Sequence, residues 1–454
     1  MRRPRGRTGD QRSHANLRWP RLSHQRDPVR PVLERHPGLA HRGGHRRNDA
    51  GHYQRHSAWR AGDVRPPDQD HAVTAAQSVA LVAGLSGQVG QGFAEAVLSD
   101  TLDSAGHFDL RAVVRRRLRT NLGGLSAAGD RITQLVGDVT TPSWALDDAA
   151  LDQLSDIRAI VNLAGIVDWT ASQAEMDRIN YLGAVTGYEL ARTLSERLGR
   201  AVPYLYASTA YVAGTLGGRI PEQQHAPHPD RTPYELSKWF AERHLLRAAS
   251  KTGHPVLIAR IGGVIGSAAT RSTTRFSSLY QLVAPLSRGQ LPVLPVQSGA
   301  RVDILPRDVV GEGLVRLLSR GAATDFRDWR GGVLVHLCAG EYAPTLAALL
   351  ALLDSKDVEH RYRPLRLVTV SPRALRLGEN LTLKYARWNR ELGNRLYGLR
   401  YVSMDRVFER IRLVEHTGGW VPEVDADTVL DVAFGLDYAR PTDDFAGLPM
   451  GRFL

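Results

Sequence analysis

Short apolar runs alternate with helical patterns between residues 78 and 262, and few folds are compatible with this alternation. Short apolar runs without a polar face are typical of strands buried inside a parallel sheet. Here they are Ser78–Ala83, Leu110–Val114, Ile132–Val136, Ile157–Leu163, Tyr204–Ala207 and Val256–Ala259, with a further candidate at Val333–Leu337. Helical spacing is clearest in Phe93–Leu98, Met176–Leu198 and Tyr234–Ser250. The pattern predicts an α/β fold with a doubly wound, Rossmann-like parallel sheet.

The segments on either side of this region have a different character. Residues 1–72 show no apolar period, and residues 1–70 contain 16 arginines, no lysine and 7 acidic residues, so they carry most of the net charge of +12. Such a segment cannot bury enough apolar surface to offset chain entropy, and we expect it to be disordered. Three interpretations of the segment stay open: a solvated tail, translation from an upstream start, or an arm that binds nucleic acid or an acyl carrier. Its few aromatic residues do not favour binding of nucleic acid. Residues 73–340 form the predicted catalytic domain, and residues 341–454 a smaller, mostly helical substrate lobe.

Three glycines follow the first predicted strand directly, and they are Gly84, Gly87 and Gly90. At this spacing the first glycine permits a tight turn, the second lets the backbone approach a pyrophosphate, and the third lets the helix pack on the strand. The helix N-terminus adds free N–H groups and the positive end of its dipole. The turn also contains Ser86, Gln88 and Val89, and it predicts a dinucleotide-binding site.

The second predicted strand ends in arginines, Arg115 and Arg116, rather than in a carboxylate. Enzymes that use NAD place Asp or Glu here to bind the ribose hydroxyls, whereas a guanidinium binds a 2′-phosphate bidentately. We therefore expect NADP(H) as the cofactor, although a solvated basic turn would have the same sequence. Further cofactor contacts are predicted after the third and fourth strands, at Asp138, Val139, Leu163, Ala164 and Gly165.

Tyr234 and Lys238 are four residues apart on a predicted helix, so that their side chains lie on one face. Lys238 can hydrogen-bond the nicotinamide ribose, and its charge is expected to lower the pKa of Tyr234 from about 10 toward the working pH. Tyr234 would then serve as a general acid or base. Thr209, just after the fifth strand, can donate to the substrate carbonyl oxygen. Asn180, on the preceding helix, is placed to support the lysine through water.

Six further motifs follow the glycine turn in a consistent order. They are Asn162–Gly165, Asn180–Gly183, Ser208–Gly214, Tyr234–Glu242, Arg260–Gly266 and Val302–Asp308. Together the seven resemble the extended short-chain dehydrogenase/reductase superfamily. The third and fourth of the six are similar to its branch of fatty acyl-CoA reductases and carrier-protein thioester reductases, the male-sterility type of NAD-binding domain. In that branch Thr209, Tyr234 and Lys238 would be the catalytic triad.

The resemblance implies an NADPH-dependent enzyme that reduces an acyl thioester, bound to coenzyme A or to a carrier protein, to the aldehyde or the alcohol. Another reaction of the superfamily, on a ketone, an alcohol or a nucleotide sugar as in epimerases, stays open. Ala210 and Tyr211 follow Thr209 where nucleotide-sugar dehydratases carry an acidic pair, so dehydration is not favoured. Ala83 stands where a threonine usually precedes the first glycine. The oligomeric state, monomer or homodimer, stays open as well.

The remaining expectations concern the surroundings of the protein. The single cysteine, Cys338, excludes an intrachain disulfide, which fits a reducing cytoplasm. No apolar run approaches the roughly 20 residues that a transmembrane helix needs. We therefore expect a cytoplasmic protein with no membrane span, and the sequence offers no candidate metal ligands.

Overall fold

The computed structural model of the chain describes residues 78–99, 108–116, 131–168, 171–228, 230–271, 273, 293–356, 365–378 and 398–434. The predicted N-terminal segment, residues 1–72, lies outside these ranges, so its expected disorder stays a prediction.

Strands and helices alternate through the catalytic region as the sequence predicts. The strands are β1 (Ser78–Ala83), β2 (Phe108–Val114), β3 (Ile132–Val136), β4 (Ile157–Asn162), β5 (Tyr204–Thr209), β6 (Gly218–Ile220), β7 (Val256–Ile261), β8 (Gly263–Ile265), β9 (Val293–Val296), β10 (Ile304–Pro306), β11 (Val333–Leu337), β12 (Arg366–Thr369) and β13 (Arg406–Phe408). The α-helices are α1 (Gln88–Leu98), α2 (Asp148–Asp152), α3 (Gln173–Met176), α4 (Leu182–Leu198), α5 (Pro233–Thr252), α6 (Arg307–Ala323), α7 (Leu346–Lys356), α8 (Ile411–Thr417) and α9 (Ala426–Phe434).

Seven strands form one parallel sheet in the order β11-β7-β5-β4-β1-β2-β3. Strands β2 and β3 are added on one side of β1, and the chain then crosses to the other side of β1 to form β4. The direction of winding therefore reverses between the neighbouring strands β1 and β4. Sheets of this kind bind ligands beyond the carboxyl ends of the strands at that reversal. The doubly wound fold class is therefore confirmed, and each of the seven predicted strands is present with only its ends shifted.

Alternate residues of β1 enter two different apolar clusters. Ala80 and Val82 pack in a cluster that contains Phe93 of α1 and Leu314 of α6. Their neighbours along the strand, Leu81 among them, pack in a second cluster with residues of α4 and α5. Because successive side chains of a strand point to opposite faces, helices cover both faces of the sheet. This explains why the strands read as continuous apolar runs.

Three short parallel pairs lie outside the main sheet: β8 with β10, β9 with β12, and β6 with β13. Strands β12 and β13 follow residue 340, whereas their partners β9 and β6 precede it. The predicted lobe of residues 341–454 therefore pairs with strands that precede residue 340, and it contains strands as well as helices. Among the described residues, no helix has the length and apolar character needed to cross a membrane.

Candidate active site

The turn between β1 and α1 has the geometry expected of a phosphate-binding turn. Gly84 has a φ of +92°, and a Cβ there would lie 2.5 Å from the backbone nitrogen of Ala164. A Cβ at Gly90 would lie 2.2 Å from the Gly84 carbonyl oxygen, so neither position accepts a side chain. Helix α1 begins at Gln88, and Gly87 at its N-cap provides no side-chain hydrogen bond. Gly87 has no side chain with which to cap the helix, and its backbone is open to close approach, which fits a turn that binds a pyrophosphate.

Charged side chains meet beyond the ends of β2 and β3. Arg115 and Arg116 follow β2 and are exposed. Asp138, after β3, accepts hydrogen bonds from the amide and the hydroxyl of Thr140, at 2.9 and 2.8 Å. These bonds lower the pKa of Asp138, and the nearby guanidinium groups of Arg115 and Arg178 lower it further. Arg178, which the sequence did not single out, therefore joins the predicted adenosine end of the site.

Two other predicted cofactor residues lie in close-packed backbone. The Leu163 amide donates to the carbonyl of Ala83 at 2.9 Å, which places the end of β4 against the glycine turn. Val139 packs against Gly183 at the start of α4, with a contact of 3.4 Å to a Cβ built there. Both positions border the predicted cofactor site, and their contacts to a cofactor stay predictions.

Thr209 and Tyr234 come together at the carboxyl end of β5. Helix α5 begins just before Tyr234, because Thr232 and Glu235 form a capping box and Pro233 occupies the first turn. Both side chains are less than 10% exposed, and the Thr209 hydroxyl lies near enough to the phenol to lower the pKa of Tyr234. The structure therefore brings the predicted proton donor and the predicted oxyanion donor into contact.

The pKa of Tyr234 moves in the direction opposite to the expected one. Burial raises it to about 12, the neighbouring Thr209 hydroxyl lowers it in part, and the charge of Glu235 raises it. The sequence shows the lysine at the correct spacing but not the burial of the phenol, and burial outweighs the other causes. A phenol that stays protonated near neutral pH is the form that a general acid requires.

The Lys238 side chain is buried beside β5, near the carboxyl end of that strand. Its Nζ donates to the carbonyl oxygen of Ala207 at 2.9 Å and lies 4.6 Å from the centroid of the Tyr206 ring. Burial lowers the pKa of Lys238 to about 7, and the charge of Glu242, one turn later on α5, raises it. Burial thus favours the neutral amine, and the neighbouring acceptors favour the protonated form.

Asn180 lies in a short π-helical segment, Asp177–Tyr181, between α3 and α4. Its carboxamide accepts from the Ile166 amide at 3.0 Å and donates to the Ile166 carbonyl at 3.1 Å. A Cβ built on Gly165 would lie 3.2 Å from both Asn180 Oδ1 and Lys238 Nζ. Asn180 and Lys238 therefore border the same small space. The π turn that carries Asn180 is a feature common at functional sites.

A buried ionic network lies behind these residues, and the sequence did not identify its role. Glu242 forms an ion pair with Arg260 at 2.7 Å, and neither side chain is exposed. Ser208, which precedes Thr209, donates to Glu242 Oε1 at 2.6 Å. The network thereby fixes the end of β5 that carries Thr209 and the acceptor of Lys238. Each of its three members lies in one of the six motifs that follow the glycine turn, but the sequence does not show that they meet.

Residues 98–314 match the family model described as Male sterility protein. An isonitrile lipopeptide synthase of Streptomyces coeruleorubidus is 30% identical over 171 residues, which make up 37% of this chain and 11% of that protein. This chain therefore spans only a small part of the length of that curated relative.

Solved structures share the fold. The terminal R domain from the myxalamid PKS-NRPS biosynthetic pathway has a TM-score of 0.59 and 23% identity, over 80% of this chain and 90% of that one. The reductase (R) domain of a nonribosomal peptide synthetase from Mycobacterium tuberculosis has a TM-score of 0.56 and 20% identity, over 80% of this chain and 92% of that one. At these identities the likeness concerns the architecture.

Proposed function

Because this chain belongs to the extended short-chain dehydrogenase/reductase superfamily of NAD(P)-dependent oxidoreductases and resembles its thioester reductase branch, we propose that it reduces acyl thioesters with NADPH. The observation that carries the proposal is the buried group of Thr209, Tyr234 and Lys238 at the carboxyl end of β5. A carrier-bound acyl group is the favoured substrate, since the matched relatives include a lipopeptide synthase and R domains of peptide synthetases. The product is an aldehyde, or an alcohol after a second reduction.

The proposed reaction divides the work between cofactor and protein. A nicotinamide cofactor, when bound, would supply the hydride that reduces the thioester carbonyl carbon. Thr209 and Tyr234 donate hydrogen bonds to the oxygen as its negative charge develops, and Tyr234 transfers its proton there. The resulting hemithioacetal breaks its carbon–sulfur bond, which releases the thiol and the aldehyde. Lys238 and Asn180 are proposed to contact the cofactor, because both border the space beside Gly165, a predicted cofactor contact.

The preference for NADP(H) is tested at Arg115. Arg115→Ala should raise the KM for NADPH and leave the KM for NADH nearly unchanged, because only NADPH carries the 2′-phosphate. A charge-assisted contact of roughly 1.5–3 kcal/mol corresponds to about a 10- to 150-fold rise. Arg111→Ala is the matched control, since Arg111 lies on β2, four residues before Arg115, and pairs with Asp156. Equal KM values for the two cofactors in the unmodified protein would contradict the assignment.

The thioester substrate is tested by a panel of acyl-CoAs, acyl-carrier-protein thioesters, ketones and UDP-sugars. We expect NADPH oxidation with a thioester, accompanied by release of a thiol that a thiol reagent detects. One NADPH consumed per thiol released indicates the aldehyde, and two indicate the alcohol. Turnover restricted to ketones or UDP-sugars would instead support the other reactions of the superfamily.

A further inference from the structure

A third apolar cluster surrounds the proposed proton donor, separate from the two clusters that cover the faces of the sheet. Its buried members are Ala171, Met176, Tyr234 and Tyr401, with Ile166 and Tyr211 packed against them. Ile166 and Tyr211 follow the carboxyl ends of β4 and β5, the edge at which such sheets bind ligands. Tyr401 comes from the C-terminal region, where no motif pointed to the active site. Two aromatic rings thus reach the reacting end of the site from different parts of the chain.

These two rings, the Tyr211–Tyr401 pair, form one rigid surface. Their centroids lie 3.9 Å apart with an angle of 33° between the ring planes. The Arg406 guanidinium lies 5.1 Å from the Tyr211 centroid and 5.8 Å from the Tyr401 centroid. Arg406 is itself buried and donates to the carbonyl of Gly214 at 3.1 Å. Stacking and cation–π contacts therefore hold both rings in place.

Protein acceptors engage both hydroxyl groups of the pair. Tyr401 donates to Glu235 Oε1 at 2.8 Å, and Glu235 is the buried neighbour of Tyr234. Tyr211 donates to the backbone carbonyl of Asp303 at 3.4 Å. With their hydroxyls bonded to these partners, the rings are the part of the two side chains left to contact a substrate; Tyr211 is partly exposed, and Tyr401 is buried against it.

We propose that the Tyr211–Tyr401 pair is the wall that binds the acyl group, and that it selects substrates whose first acyl carbons are apolar. The inference rests on the proposed function and names its substrate class. Methylene or unsaturated carbons gain contact with ring surface when they leave water. A polar substituent packed against the rings loses its hydration and meets ring carbon there, so its binding is disfavoured.

The test compares octanoyl-CoA with acetyl-CoA, because only the longer acyl group has carbons that reach along the wall. Tyr401→Ala should raise the KM for octanoyl-CoA roughly tenfold or more and leave the KM for acetyl-CoA nearly unchanged. Tyr401→Phe keeps the ring and loses only the bond to Glu235, so it should restore the preference for octanoyl-CoA. An unchanged KM for NADPH shows that each variant is folded. Tyr342→Ala is the matched control, because Tyr342 belongs to the same region and is 54% exposed.

A different pattern overturns the inference. If Tyr401→Ala weakens both thioesters equally, or if Tyr401→Phe lowers kcat as much as Tyr401→Ala does, then Tyr401 only holds Glu235 and Tyr234 in position. If the unmodified enzyme turns over neither these acyl-CoAs nor the corresponding acyl-carrier-protein thioesters, the proposed function fails separately. The same variants are then compared on a long-chain and a short-chain substrate from the class of carbonyl compound that the enzyme does reduce. If Tyr401→Ala loses the preference for the longer chain there, the Tyr211–Tyr401 pair is still supported as the wall that binds this chain.

Discussion

Tyr234→Phe should lower kcat by roughly two to four powers of ten while NADPH still binds. The substitution keeps the ring and removes only the transferable proton and one donor to the developing oxyanion. Because burial raises the pKa of Tyr234 to about 12, the phenol holds its proton at neutral pH and is ready to donate it. Steady-state kcat on the thioester identified by the panel measures the loss, and a fluorescence titration with NADPH measures binding.

Two comparisons isolate the chemical role of Tyr234 from its contribution to packing. Tyr188→Phe removes a buried hydroxyl that bonds Thr252 at 2.9 Å, away from the active site, and should leave kcat nearly unchanged. At the other oxyanion donor, Thr209→Ser should keep much of the activity and Thr209→Val little, since the hydroxyl matters and the methyl does not. Near-full turnover by Tyr234→Phe on the true substrate would mean that this site is not where the chemistry occurs.

The sheet could be predicted because a strand covered by helices on both faces must be apolar along its whole length. The continuous apolar run therefore located β1 to the residue, and the glycines beyond β1 located the turn. The side-chain spacing of Tyr234 and Lys238 was equally visible, because both lie on one helix. These predictions concern local sequence, where the relation between residues and geometry is direct.

The features that escaped prediction depend on contacts between distant parts of the chain. Tyr401 meets Glu235 across 166 positions of sequence, and no local pattern marks either residue as a partner of the other. The burial that raises the pKa of Tyr234 is likewise a property of the assembled site. The pairing of β6 with β13 has the same origin, since strands of three residues carry almost no periodic signal.

Removal of one partner of the buried Glu242–Arg260 pair should cost about 3–5 kcal/mol of the free energy of unfolding. Glu242→Gln leaves the Arg260 guanidinium charged and without a counter-ion, although the amide can still accept a hydrogen bond. The other side chains that contact Arg260 are His225 and His336, at 2.9 and 3.3 Å. Burial lowers the pKa of His225 to about 3 and that of His336 well below its usual value, so neither competes for the carboxylate as a cation. Urea unfolding measures the loss of stability.

Two controls separate the effect of burial from the effect of the ion pair itself. Glu196→Gln breaks the surface ion pair of Glu196 with Arg192, in which the two side chains are 71% and 39% exposed. It should lower the free energy of unfolding by less than about 1 kcal/mol. Glu242→Leu combined with Arg260→Met removes both charges, so it should cost less than Glu242→Gln alone. A loss for Glu242→Gln no larger than that for Glu196→Gln would show that the network does not hold the end of β5. In the expected case kcat falls as well, because Ser208 loses its charged acceptor one residue before Thr209.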